Sequence, residues 1–346
     1  MKVKIIFLMA IICCIYRIAP GEDKEAEAYF NAAVTYLNGA TIEQGIAKCK
    51  EIIKTHPEDT YFYVTLGHLY EQKGLHDEAI AEYNKAIQID PNAGDAYSGI
   101  GIVYMTQGRY DEAISKLTKA IELIPDYYGA YIDLGQVYGI KGRVGKAENL
   151  YKIAVKLNPE AYDAYNYLGL IYASKGKIKK AIAQFQKSIN ANPNYAEAYY
   201  NLGTIYIDLG KTEEAISNLK KSIAINPDHA SAHYNLGKVY YQMGLTDKAI
   251  TECKEVIKLE PNAADAHKLL GVVYYNKGLY DMAITKSKEA NRLAPTDPMI
   301  ITDAHLVLGY AYVKKGDKQS ALQEYEILKT LDKEKAKELR HFINSI

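Results

Sequence analysis

The chain has 346 residues with 42 basic and 42 acidic side chains, so its formal net charge is zero. Nucleic acid and anionic membrane surfaces are thereby disfavoured as charge-driven partners, since both depend on an excess of Lys and Arg that displaces counterions. A hydrophobic content of 48% with 24% charged residues is globular, and four Cys are too few for a disulfide scaffold.

Residues 1–21 read as an export signal. Lys2 and Lys4 precede an unbroken apolar run from Ile5 to Tyr16, 12 residues long. These are the charged and hydrophobic parts of a secretory signal, and the run is too short to span a bilayer as a helix. Ala19 and Gly21 allow cleavage before Glu22, although Arg17 and Pro20 depart from a good site. Its removal leaves 39 basic against 42 acidic residues. Cys13 and Cys14 also admit a lipidated N-terminus, but Ile12 precedes Cys13 where a lipobox carries a small residue. A buried first helix is the other reading, and the run offers no polar face for it. The expectation is an extracytoplasmic chain, periplasmic or secreted, whose segment 1–21 is cleaved, lipidated or kept as a membrane attachment.

A strict period organises the rest. Pro57, Pro91, Pro125, Pro159, Pro193, Pro227, Pro261 and Pro295 stand 34 residues apart. Gly67, Gly101, Gly135, Gly169, Gly203, Gly237 and Gly271 keep the same interval, and the next member, Gly309, is displaced by four residues. A tyrosine follows three residues after each glycine, from Tyr70 to Tyr312, and an alanine twelve residues after it, from Ala79 to Ala321. Nine units result: 26–59, 60–93, 94–127, 128–161, 162–195, 196–229, 230–263, 264–297 and a displaced 302–335. Ala33 and Gly45 stand at the glycine and alanine positions of the first, and Lys333 replaces the proline of the last.

Each unit predicts two helices. In the third, Tyr97, Ile100, Gly101 and Tyr104 fall on one face of Ala96 to Thr106. Gly108 closes that helix. Asp111 to Leu123 repeats the spacing with Ala113, Ile114, Leu117, Ala120 and Ile121, and Pro125 ends it. Gly at the eighth and Ala at the twentieth position remove bulk where the two helices cross. No unit can bury its apolar face alone, so neighbours must stack. The four extra residues near Pro298 are expected to lengthen the first helix of the ninth unit, with Pro298 in its opening turn. Ala336, Leu339, Ile343 and Ile346 predict a capping helix over 336–346.

The motif Tyr131-x-x-Leu134-Gly135-x-x-Tyr138 with Ala147, Tyr151 and Pro159 resembles the tetratricopeptide repeat, and the resemblance covers residues 26 to about 335. It implies an all-α fold, a right-handed superhelical solenoid of about nine repeats. It also implies a concave surface lined by the second, fifth, sixth, ninth, twelfth and thirteenth positions of each first helix. Tyr200, Tyr234, Tyr241, Tyr275 and Tyr310 fall on that lining, and aromatic side chains there give large contact area with few rotamers to freeze. The carboxylate-clamp type of groove is missing, because Lys268 is followed by Val272. The asparagine-ladder type, similar to the repeat region of O-linked N-acetylglucosamine transferase, is met at Asn31, Asn201 and Asn235 alone.

Other chemistry is not supported. His233, His267 and His305 share the fourth position of successive units, where earlier units carry tyrosine. Helix axes there stand about 8–10 Å apart, so packing accounts for them better than a shared metal. Cys49 and Cys253 read as buried small hydrophobes. Phosphate-loop, zinc-hydrolase, nucleophile-elbow and paired-cysteine motifs are missing. The expectation is a scaffold that holds a protein or peptide, with Tyr200, Asn201, Tyr234, Asn235, Tyr241, Tyr275 and Tyr310 as its binding residues. No catalytic residue, metal, cofactor or small-molecule substrate is expected. An accessory subunit of a glycosyltransferase-type or envelope assembly, and a structural spacer, stand as alternatives.

Overall fold

The computed structural model describes residues 41–345. The export reading of residues 1–21, Cys13, Cys14 and Asn31 lie outside the described residues. Eighteen helices are present among the described residues, and no strand. They are α1 (Ile42–Thr55), α2 (Thr60–Gln72), α3 (His76–Ile89), α4 (Gly94–Thr106), α5 (Tyr110–Leu123), α6 (Tyr128–Ile140), α7 (Val144–Leu157), α8 (Tyr162–Ser174) and α9 (Ile178–Ala191). There follow α10 (Ala196–Asp208), α11 (Thr212–Ile225), α12 (Ala230–Gln242), α13 (Thr246–Leu259), α14 (Ala264–Asn276), α15 (Tyr280–Leu293), α16 (Pro298–Lys314), α17 (Lys318–Leu331) and α18 (Lys333–Asn344). Two compact units divide the chain, Met1–Ala164 and Tyr165–Ile346.

Within each unit, a short helix and its successor pair antiparallel, and the first helices of successive pairs touch: α2, α4 and α6 in one unit, α10, α12, α14 and α16 in the other. Glycine makes the turn inside each pair. Gly108 has φ +75°, where an L side chain is strained, and the amide of Arg109 then donates to the Tyr104 carbonyl at 2.8 Å. That six-to-one bond closes the α4 helix in the Schellman manner, and glycines at the same place end the other first helices.

The eighth-position glycine is a notch for one side chain. A Cβ on Gly67, Gly101, Gly135 or Gly169 would fall 2.5–2.6 Å from Tyr83, Leu117, Tyr151 or Phe185, the twenty-fourth position of the same pair. The twentieth-position alanines are sealed, at 0–1% exposure. Eleventh-position tyrosines carry cations from the turn or from the second helix on their rings, with the Arg109 guanidinium of the turn 3.9 Å from the Tyr104 centroid and the Lys248 ammonium of α13 5.5 Å from that of Tyr240.

The fourth position ties each first helix to the loop before it. Tyr63 and Tyr131 donate their hydroxyls to the Pro57 and Pro125 carbonyls at 3.1 Å. His233 and His267 place Nε2 against the Pro227 and Pro261 carbonyls at 3.1 and 3.2 Å. The histidines therefore do the work of the tyrosines they replace. Cys49 and Cys253 are buried, and burial pushes both thiols up to about 12. On the outer rim, fourteenth-position lysines reach acids of the preceding pair: Lys73 to Glu43 at 3.1 Å, Lys141 to Asp111 at 2.9 Å, and likewise Lys277 to Asp247 and Lys315 to Asp281.

The four extra residues lengthen α16 to 17 residues against 13 in α14, with Pro298 in its first turn and Asp297 as its cap. The terminal helix begins at Lys333, three residues ahead of the apolar face read from sequence. Asp332 sets that start by accepting from the amides of Glu334 and Lys335.

Candidate functional site

The seven residues expected to bind a partner all lie in the C-terminal unit, on first helices that touch one another: Tyr200 and Asn201 on α10, Tyr234, Asn235 and Tyr241 on α12, Tyr275 on α14, and Tyr310 on α16. All seven are half-buried. Tyr200, Tyr234, Tyr241 and Tyr275 pack one side against the core of the unit and keep the other for solvent.

Three rings form a run. Tyr275 stacks on Tyr310 at 5.7 Å between centroids and 27° between planes, and Tyr310 meets Phe342 of α18 edge-on at 4.9 Å. The Tyr310 hydroxyl donates to the Glu338 carboxylate. Burial and then that carboxylate push the Tyr310 phenol upward. Burial also raises Tyr275, and pushes Tyr234 up to about 12 with help from Asp265. Tyr241 accepts from the Asn276 amide at 2.9 Å, joining α12 to α14. Tyr200 rests against His229, centroids 4.7 Å apart.

The asparagines are partly spent on each other's neighbours. Asn201 donates to the Asn166 side-chain oxygen at 2.9 Å, and Asn235 to the Thr204 hydroxyl at 3.4 Å. Each keeps its own carbonyl oxygen for an incoming donor. Lys268 is likewise engaged, 3.1 Å from Asp265 and 3.8 Å from Asp303, and Lys335 closes on Asp303 at 2.6 Å. Leu170, on α8 at the ninth position, is 41% exposed. Phe342, Glu338, His229 and Asn276 belong to this surface and were not legible beforehand. His229 and Asn276 occupy repeat positions whose residue type varies, and the terminal helix has no counterpart in the period.

The fold and this surface define a stacked helical-hairpin array, a class in which first helices present a long side-chain-lined face. The chain belongs to the tetratricopeptide repeat family. Profiles described as TPR repeat or tetratricopeptide repeat match residues 67–108, 169–210 and 203–244, residues 92–160, residues 230–263 and residues 302–338. Among curated proteins none matches the chain.

Similar solved structures include the Cut9–Hcn1 hetero-tetramer of the APC/C, with a TM-score of 0.65 at 20% identity over 86% of this chain. The chain spans only 57% of the length of that relative. The human IFIT1 dimer with PPP-AAAA aligns with a TM-score of 0.57 at 18% identity, over 89% of this chain and 85% of that one. PilF of Pseudomonas aeruginosa aligns at 0.55 and 20% identity, over 62% of this chain and 96% of its own. At these identities the likeness is one of fold.

Proposed function

We propose that the chain is an exported interaction scaffold that holds a protein partner, as extended peptide or amphipathic helix, on the tyrosine-lined face of its C-terminal unit. The observation that carries this reading is the half-burial of Tyr200, Tyr234, Tyr241, Tyr275 and Tyr310 on adjoining helices. Rings of that size held rigidly from one side offer contact area at little entropic cost. The free carbonyl oxygens of Asn201 and Asn235 would accept from a partner's backbone amides, and Leu170 adds apolar area.

The test is capture of partners by crosslinking from the native envelope, with the wild type and with Tyr200→Ala, Tyr234→Ala and Tyr275→Ala combined. Central aromatic anchors cost about 1–2 kcal/mol or more each when truncated, so capture should fall steeply while far-ultraviolet circular dichroism stays unchanged. Undiminished capture refutes the surface. Fractionation addresses export separately, and intact chain confined to the cytosol refutes that part.

A further inference from the structure

The tyrosine-lined face carries a cation that the folded chain leaves without a counter-charge. Lys238 stands at the ninth position of α12, half-buried, and is the one Lys, Arg, Asp or Glu of that helix. Its ammonium lies 5.7 Å from the centre of the Tyr234 ring, one helical turn back. Among the described residues it enters no ion pair and no side-chain hydrogen bond, so no carboxylate comes within 4.0 Å of it.

The other charges nearby are spent or out of reach. Lys268, on α14, is held by Asp265 at 3.1 Å and by Asp303 at 3.8 Å. Of the acids on the first helices that touch α12, Asp265 is thus committed, and Glu197 of α10 faces His229 at 3.4 Å. Asp208 stands exposed in the last turn of α10 and reaches no ammonium.

The surroundings of Lys238 are aromatic or neutral. On its own helix Tyr234 and Asn235 lie a turn back, with Tyr241 and Gln242 a turn ahead. The ninth-position counterparts on α10 and α14 are Thr204 and Val272. Tyr234, Tyr241 and Val272 are anchored against the core of the unit. The hydroxyls of Tyr200, Tyr234 and Tyr275 are committed to no hydrogen bond among the described residues. A neutral or basic segment laid over this face strips water from the ammonium and returns nothing, whereas a facing carboxylate offsets that loss.

We propose that the partner held here is an extended peptide with an Asp or Glu side chain that pairs with Lys238, and with apolar residues on either side seated against Tyr200, Tyr234 and Tyr275. This rests on the tyrosine-lined face being the binding surface and adds the charge of what it holds. An extended segment is selected because its amides are open to the carbonyl oxygens of Asn201 and Asn235, whereas a helix spends most of its own internally.

A side-chain carboxylate fits better than a chain terminus. The lining continues past Lys238 in both directions, to Tyr200 on α10 and to Tyr275 on α14, and a chain that ended at Lys238 would leave one of them uncovered. The single ammonium also balances a single carboxylate. A phosphorylated side chain brings close to two negative charges and would leave the excess uncompensated beside the phenols.

The test is selection by the full chain from a random nonapeptide library displayed with both peptide ends joined to the carrier, read by sequencing. The wild type should enrich apolar and aromatic residues together with Asp or Glu at one position. K238Q should lose the acidic preference and keep the apolar one, which also shows that it is folded, and K238E should exchange acids for Lys or Arg. K254Q, which removes an exposed cation from the second helix α13, should select as the wild type does. A selected peptide with blocked ends should bind about tenfold more weakly once its acid is replaced by the amide, and added salt should narrow that gap. Apolar enrichment without acids, acidic enrichment that survives K238Q, an acid preference confined to a library with free C-termini, or tighter binding of phosphoserine at the same place would overturn the proposal and leave the surface standing. No enrichment at all, or enrichment untouched by Tyr200→Ala, Tyr234→Ala and Tyr275→Ala combined, would remove the surface and the proposal with it.

Discussion

Two glycines at the same repeat position should respond oppositely to alanine. At Gly101, a Cβ would lie 2.6 Å from Leu117 Cγ and 3.3 Å from the Leu117 backbone nitrogen. Leu117 is fully buried and has nowhere to retreat. Overpacking of that kind costs about 1–3 kcal/mol, while replacing a mid-helix glycine returns about 1 kcal/mol of propensity. The net for G101A is a loss of roughly 0–2 kcal/mol.

At Gly237, the nearest atoms are Glu252 Cβ at 3.3 Å and Cys253 Sγ at 3.5 Å, and a slight side-chain adjustment suffices. There the propensity gain dominates, so G237A should be neutral or stabilising by up to about 1 kcal/mol. Urea unfolding followed by circular dichroism gives the sign. Because long arrays need not unfold in one step, amide exchange in α4–α5 and α12–α13 localises each effect. A further check is L117A combined with G101A, whose cost should fall well short of the sum of the two single changes. Equal responses at Gly101 and Gly237 would refute the claim that the twenty-fourth residue sets what the eighth can be.

Two further outcomes follow from buried polar groups. Burial first, then Asp163 and Glu71, push the Asp133 carboxyl up to about 7, so the folded chain holds a proton on it that the unfolded chain has released between about pH 4 and 7. The associated stability is full below that window and lost as pH rises through about 7, so D133N should gain on the wild type in urea midpoint from about pH 5 to 8, and parallel curves would contradict it. His267, whose imidazole burial holds below its ordinary value, should tolerate tyrosine, since a hydroxyl can take over the Pro261 carbonyl as in Tyr63 and Tyr131. Phenylalanine leaves that carbonyl bare and should cost about 0.5–1.5 kcal/mol by thermal unfolding, so a phenylalanine variant as stable as the tyrosine one would count against the role.

The helical array was legible because punctuation and period agree. Proline and left-handed glycine stop each helix locally, so the third unit could be divided at Gly108 and Pro125 from sequence alone. The use of each tyrosine was harder to read, since it depends on what a neighbouring helix brings. Tyr310 lies on the expected lining, but its hydroxyl and one ring edge are taken by Glu338 and Phe342 of α18, which belongs to no repeat. The asparagines at 201 and 235 looked like rungs for a guest, yet half of each amide is bonded within the unit.

The rim pairs from Lys73, Lys141, Lys277 and Lys315 differ in kind from the glycine and alanine contacts inside. Being exposed, they weaken with added salt, whereas close-packed apolar contacts do not. Each unit therefore couples a stiff spine to a soft outer hem. Added salt should therefore loosen these ties between neighbouring hairpins first, while every helix stays intact.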